Sequence, residues 1–184
     1  MKLNSSDFLG IIPARFNSTR LKGKPLMKIG EKTMIEHVYS RASEVLDNLV
    51  VATDDKNIFD TVNNFGGNVV LTKKDHLNGT SRCLEAVDIW SKELEKSFNY
   101  IINIQGDEPL LHEDHIIKVI ECFNDSKTEF ATIAQKLNSS DNLPKDKVFL
   151  VKDTFNFALY FSRYAIPFVR EDEIKEDANQ FHQH

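Results

Sequence analysis

Short apolar runs alternate along the chain with longer segments whose apolar residues recur at helical spacing. FLGII (Phe8–Ile12), LVVAT (Leu49–Thr53), NVVLT (Asn68–Thr72) and YIINIQ (Tyr100–Gln105) are short, β-branched and not cleanly alternating. That pattern marks strands buried on both faces. Between them, Thr33–Leu46, Lys56–Phe65, Gly79–Lys96 and Glu113–Phe123 predict amphipathic helices. In the third helix, Leu84, Val87 and Leu94 are expected on the buried side with Trp90 beside them. Gly66-Gly67 is placed to stop the second helix, since a glycine past the last turn accepts a left-handed backbone. Strand–helix–strand repetition implies a mainly parallel sheet with helices on both faces.

Beyond residue 128 the pattern changes. Phe130–Leu137, Lys147–Asp153 and Phe157–Arg163 predict strands with no long helix between them, hence a mixed or antiparallel extension. Arg170–Gln180 is acidic and polar and reads as a loop. No repeat, low-complexity tract or linker divides the chain, so its 184 residues read as a single domain over 1–184.

Composition narrows the partners. A hydrophobic fraction of 41% and a charged fraction of 28% suit a soluble globular protein. Net charge −5 argues against nucleic acid, which calls for a broad basic face. No apolar run approaches the roughly 20 residues of a membrane span, and the N-terminus lacks a secretory layout. No membrane partner is therefore expected. Cys83 and Cys122 have no metal-like spacing and sit on the apolar sides of their helices. They predict reduced core thiols in a cytoplasmic protein.

Against this acidic background, GIIPARFNSTRLKGKPLMKIG (Gly10–Gly30) carries Arg15, Arg20, Lys22, Lys24 and Lys28 and no acid. The segment follows the first strand, and ligands of open α/β sheets bind beyond the carboxyl ends of the strands. Pro13 is expected to end the strand's hydrogen bonding. Gly23 is expected to make a turn, and Pro25 to push Lys24 toward extended geometry. Arg15, Arg20 and Lys24 are expected to converge on one anion, with Lys22 and Lys28 solvated. The loop matches neither G-x-G-x-x-G nor G-x-x-x-x-G-K-[ST]. It must hold phosphate mainly through side-chain cations, helped by turn N–H groups.

Three further motifs bear on chemistry. In GDEP, Asp107 lies just past the fourth strand behind Gly106, a candidate Mg²⁺ ligand beside substrate phosphates. Its competing reading is an N-cap for the helix near Glu113. In NGTSR, Thr80 or Ser81 is the expected N-cap, and Arg82 either projects near that helix N-terminus or pairs with Glu85 on the surface. HEDH (His112–His115) is not H-E-x-x-H, and His182 and His184 lack a third ligand, so no zinc site is expected.

IIPARFNSTRLKGKPL resembles the nucleotide-binding signature of the 3-deoxy-manno-octulosonate (Kdo) cytidylyltransferases, or CMP-Kdo synthetases. VVATDD (Val50–Asp55), DHLNGTSR (Asp75–Arg82), NIQGDEPLL (Asn103–Leu111) and ALYFSRYAIPF (Ala158–Phe168) follow in family order with similar spacing. Sialic-acid-activating relatives have a loop closer to A-R-x-x-S-K, so Thr19-Arg20-Leu21 favours the Kdo branch. Lys22 and Ser81 depart from the family's usual proline and acidic residue.

The resemblance implies a three-layer nucleotide-diphospho-sugar transferase-like fold, Rossmann-like, with a mixed sheet flanked by helices. It implies transfer of a cytidylyl group from CTP to Kdo, with release of pyrophosphate, in lipopolysaccharide precursor activation. It also implies Mg²⁺ and a homodimer. It assigns Ala14, Arg15, Arg20, Lys24 and Arg82 to the nucleotide, and Asp107 to the metal. Arg15, Lys24 and Asp107 are its catalytic residues; Gln105, Arg163 and His184 are its sugar contacts. The family continues past the tail read here with a second metal-binding aspartate, so a C-terminally incomplete chain is expected. Another acid sugar, or an inactive CTP-binding fragment, are the alternatives.

Overall fold

Up to residue 128 the elements run β1 (Phe8–Ala14), β2 (Lys28–Ile29), β3 (Lys32–Thr33), α1 (Met34–Ser43), β4 (Leu49–Thr53), α2 (Lys56–Asn64), β5 (Val69–Leu71), α3 (Gly79–Glu93), β6 (Tyr100–Asn103) and α4 (Glu113–Cys122). The computed structural model describes residues 5–17, 21–136, 147–166 and 182–183. The chain, read from its sequence as a single domain, groups into two compact units, Met1–Thr128 and Glu129–His184.

In the first unit, β1 lies inside a parallel sheet of order β5-β4-β1-β6. Gly10 pairs with Leu49 on one side, and Phe8 with Tyr100 on the other. Successive side chains of a strand face opposite ways, so the unbroken apolar runs feed two cores. Phe8, Ile12, Leu49, Val51 and Ile102 pack with Ile35, Val38, Ile58, Val62 and Ile116 of α1, α2 and α4. Leu9, Ile11, Val50, Ala52 and Val70 pack with Cys83, Ala86 and Trp90 of α3. The result is the expected three layers.

The ends of the helices follow side-chain chemistry. Asp55 caps α2, accepting from the N–H groups of Asn57 and Ile58 at 2.9 and 3.1 Å. Gly66, at φ +80°, turns the chain out of α2, as its position predicts.

Three expectations are corrected. The buried side of α3 carries Arg82, Cys83, Ala86 and Trp90, while Leu84 is 67% exposed and Leu94 is also exposed. Small Cys83 and Ala86 let the helix lie close to the sheet, and an arginine takes a place in its buried stripe. Cys122 is exposed, and its thiol donates to the Lys118 carbonyl within α4 at 3.2 Å. It lies in the last turn, past the helix's buried Ile116. Pro13 does not end β1; it pairs in register with Ala52. β6 stops at Asn103, opposite Ile11, so the missing Pro13 N–H removes no rung of the β1–β6 ladder.

The second unit holds β7 (Gln135–Lys136), β8 (Phe149–Lys152), β9 (Ala158–Ser162) and β10 (His182–Gln183) in an antiparallel sheet of order β7-β10-β8-β9. Asp153 organises the β8–β9 connection, its Oδ1 accepting from the N–H groups of Phe155 and Phe157 at 2.9 and 2.8 Å. The long strand expected over Phe130–Leu137 is confined to Gln135–Lys136 among the described residues. Leu137 and Arg170–Gln180 lie outside them. Among the described residues no helix is long and apolar enough to cross a membrane.

Leu49 is 2% exposed in the larger core. Leu49→Ala is expected to lower unfolding free energy by about 2–5 kcal/mol in urea titrations, with little change in the denaturant slope.

Candidate active site

Parallel strands end at the same edge of a sheet, and this edge collects the residues singled out by sequence. Ala14, 2% exposed, closes β1 and leads directly into Arg15. Arg15 Nη2 donates to two backbone carbonyls, those of His76 and Asn78, the latter at 2.8 Å. The loop beyond Arg15 is closed by Gly23 N–H donating to the Phe16 carbonyl at 2.7 Å. Gly23 has φ +69°, and a Cβ there would lie 3.1 Å from the Phe16 ring. Both facts require glycine at this turn.

Lys24 is not extended, as Pro25 led us to expect. It opens a short 3-10 turn, Lys24–Leu26, in which Pro25 lies at the start and needs no N–H donor. The turn brings Lys24 Nζ within 2.7 Å of Asp107 Oδ2. Two predicted site residues 83 positions apart thus meet directly. Asp107 follows Gly106, where a Cβ would come within 3.0 Å of the Pro13 carbonyl oxygen. Glycine therefore allows the GDEP turn to close against the end of β1. Asp107 is not the cap of α4; His112 is, accepting from the Asp114 N–H. Gln105 is exposed beside it.

The remaining predicted residues divide differently. Arg163 is exposed just past β9, in the second unit. Arg20 and His184 lie outside the described residues. Arg82 is fully buried. Its Nη1 donates to Thr72 Oγ1, and its Nη2 lies 3.1 Å from Asp54 Oδ2. That second contact is a charge pair lying off the hydrogen-bonding direction, since Coulomb attraction does not need the alignment that a hydrogen bond does. Nε has no partner. The surface pair with Glu85 does not form; Glu85 instead engages His76.

Asn78, rather than Thr80 or Ser81, caps α3, accepting from the Ser81 N–H at 2.8 Å. Asn78 has the extended backbone a cap requires, and the helix begins one residue later, at Gly79. Burial pushes the Cys83 thiol up to about 11, against the opposing charge of Arg82, which disfavours the reactive thiolate.

Sequence reading missed Asp54, Thr72, His76 and Glu85. Asp54 carried one signal, the acidic pair Asp54-Asp55 directly after the strand LVVAT. One of these acids caps α2 and the other faces Arg82.

Comparison with known proteins bears on the family and the fold. A cytidylyltransferase family model covers residues 9–184. The chain belongs to the cytidylyltransferase family. A Fusobacterium nucleatum protein named 3-deoxy-manno-octulosonate cytidylyltransferase is 46% identical over 90% of this chain and 66% of its own length. A Parabacteroides distasonis protein of the same name is 41% identical over 96% and 72%. The chain thus spans about two thirds of these family members. A solved CMP:2-keto-3-deoxy-manno-octonic acid synthetase complexed with CTP superposes with TM-score 0.85 at 34% identity, covering 97% of this chain and 72% of that one. A 4-diphosphocytidyl-2C-methyl-D-erythritol synthase shares the fold, with TM-score 0.56 at 17% identity.

Two predictions follow from the charges of the site. Asp54→Ala strands a buried guanidinium and is expected to cost about 3–5 kcal/mol, whereas Arg82→Met, which removes the buried charge itself, costs less. Chemical denaturation of both variants checks the order; a cheaper Asp54→Ala refutes it. The hydrogen bond from His76, more than any other cause, holds the Glu85 carboxyl below its ordinary 4.5. A depressed carboxyl stabilises the fold above its unfolded value and loses that contribution as pH falls through the folded one. Glu85→Gln should therefore flatten the stability profile below pH 4.5 and lower stability near neutrality.

Proposed function

We propose that this chain carries the catalytic core of an enzyme transferring a cytidylyl group from CTP to Kdo, releasing pyrophosphate. The observation that carries the reading is the meeting of Lys24 and Asp107 at the sheet edge that also bears Arg15. The family, and a relative solved with CTP, support it. The relatives' names support Kdo as the acceptor.

Attack of the sugar's anomeric hydroxyl on the α-phosphate breaks the bond to the pyrophosphate group. Negative charge grows on the phosphate oxygens, so positioning and neutralisation dominate the catalysis. Arg15 offers a planar donor fork to the triphosphate, and Lys24 a mobile point charge. Arg20 is assigned to the β/γ end and Ala14 to the nucleotide side, while Arg82, sealed against Asp54 and Thr72, braces that side without reaching the ligand. Arg163 suits the carboxylate of Kdo, with Gln105 and His184 as further sugar contacts.

Asp107 is the proposed Mg²⁺ ligand. Its fit is supported by a stand-in: the Lys24 ammonium already lies 2.7 Å from the carboxylate, so the position accepts a cation. Among the described residues no group of three or more metal-ligating side chains exists. Mg²⁺ uses one or two carboxylates and takes its other ligands from phosphates and water. Bound there, it would neutralise charge developing on the phosphates. The reading further includes a homodimer, a cytoplasmic location and a role in lipopolysaccharide precursor supply.

Pyrophosphate release with CTP, Mg²⁺ and a panel of acid sugars tests this. Kdo is expected to give the highest rate, and Asp107→Asn to lower turnover by about 100-fold or more. Faster turnover of an amino analogue would reassign the acceptor. CTP binding without turnover of any sugar would sink the enzyme reading for this chain.

A further inference from the structure

Arg15 is held by a loop that has its own support. Glu85, nearly two turns into α3, accepts from the Lys73 N–H at 2.9 Å and, with the same Oε2, from His76 Nε2. Both ends of the Lys73–His76 stretch are thereby tied to one carboxylate oxygen. His76 Nδ1 lies 3.2 Å from Ser81 Oγ, and that hydroxyl donates to the Asn78 carbonyl at 3.1 Å. The side chains of His76 and Glu85 are 16% and 21% exposed, so the network is largely shielded from competing water. Its two outputs are the His76 and Asn78 carbonyls, the pair that accept from Arg15 Nη2.

We propose that Glu85 and His76 are positioning residues for the nucleotide's phosphates, acting through Arg15. Neither is assigned to the substrate. They fix two carbonyl oxygens, these fix Nη2, and the guanidinium plane is rigid, so its other edge is aimed without further contacts. A long arginine next to an acid-free loop would otherwise sample many rotamers, and phosphate binding would have to order it. Held in advance, the group meets the phosphates at lower entropic cost. The inference rests on the phosphate role given to Arg15 above.

The distinguishing measurement is a double-mutant cycle read by the binding of CTP and of cytidine, which has no phosphate. Glu85→Ala is expected to weaken CTP about tenfold and to change cytidine by less than about twofold. In an Arg15→Ala background the same change should cost nothing further, because the group being positioned is gone. Glu85→Gln keeps one acceptor oxygen and should recover part of the affinity. It also serves as the reporter if Glu85→Ala melts below the assay temperature. Losses that add in the double mutant, or that are equal for CTP and cytidine, make Glu85 a structural brace and overturn the proposal. If Arg15→Ala leaves CTP binding unchanged, the phosphate role itself fails. If Arg15→Ala weakens CTP while Glu85→Ala does not, that role survives and the positioning does not.

Discussion

The parallel pairing of β1 between β4 and β6 is the constraint on which the site depends. It sends three chain segments out of the sheet at one edge: Arg15 after β1, Asp54 after β4, and Gln105 to Asp107 after β6. The pairing is sustained by burial on both faces. Phe8, Leu9, Ile11 and Ile12 are all fully buried, on alternate sides. A slip of one residue would exchange the two cores and turn every one of these side chains the wrong way.

On that edge the cations are held rather than loose. Arg15 rests on two carbonyls, Lys24 on Asp107 and Arg82 on Asp54. The three arrangements differ in what a ligand can take from them. Lys24 and Asp107 are partly exposed, and a surface pair of this kind contributes about 0–1 kcal/mol, so a competing charge could draw either partner away cheaply. Arg82 is sealed, and its charge ties the ends of β4 and β5 to α3. Arg15 lies between the two extremes, half-buried and fixed on one side. An acidic chain can therefore present a basic grip locally, because each cation is either oriented or temporarily neutralised by its neighbours.

Much of this was legible in the residues. The runs FLGII and LVVAT announced buried strands because they are too apolar and too β-branched for a solvent face. The acid-free loop stood out as a candidate anion site because no carboxylate nearby in the sequence offset its charge. The reading failed where side chains had to be placed around a helix. In α3, counting apolar residues favoured Leu84 and Leu94, but the buried stripe holds Arg82, Cys83, Ala86 and Trp90. Hydrophobic periodicity has no means of placing an arginine inside, because its burial is tolerable only with Asp54 and Thr72 already there.

By itself the sequence determined the order of strands and helices and the parallel sheet, and it singled out the loop and the GDEP turn as candidate chemical parts. These follow from short-range patterns: hydrophobic period, glycine and proline, and charge run. Tertiary structure alone decided that Lys24 meets Asp107 across 83 positions, that Asp54 rather than Glu85 faces Arg82, and that Glu85 and His76 hold the loop carrying the carbonyls for Arg15. Partners so far apart are chosen by which strand ends the sheet brings together, and no local pattern encodes that choice.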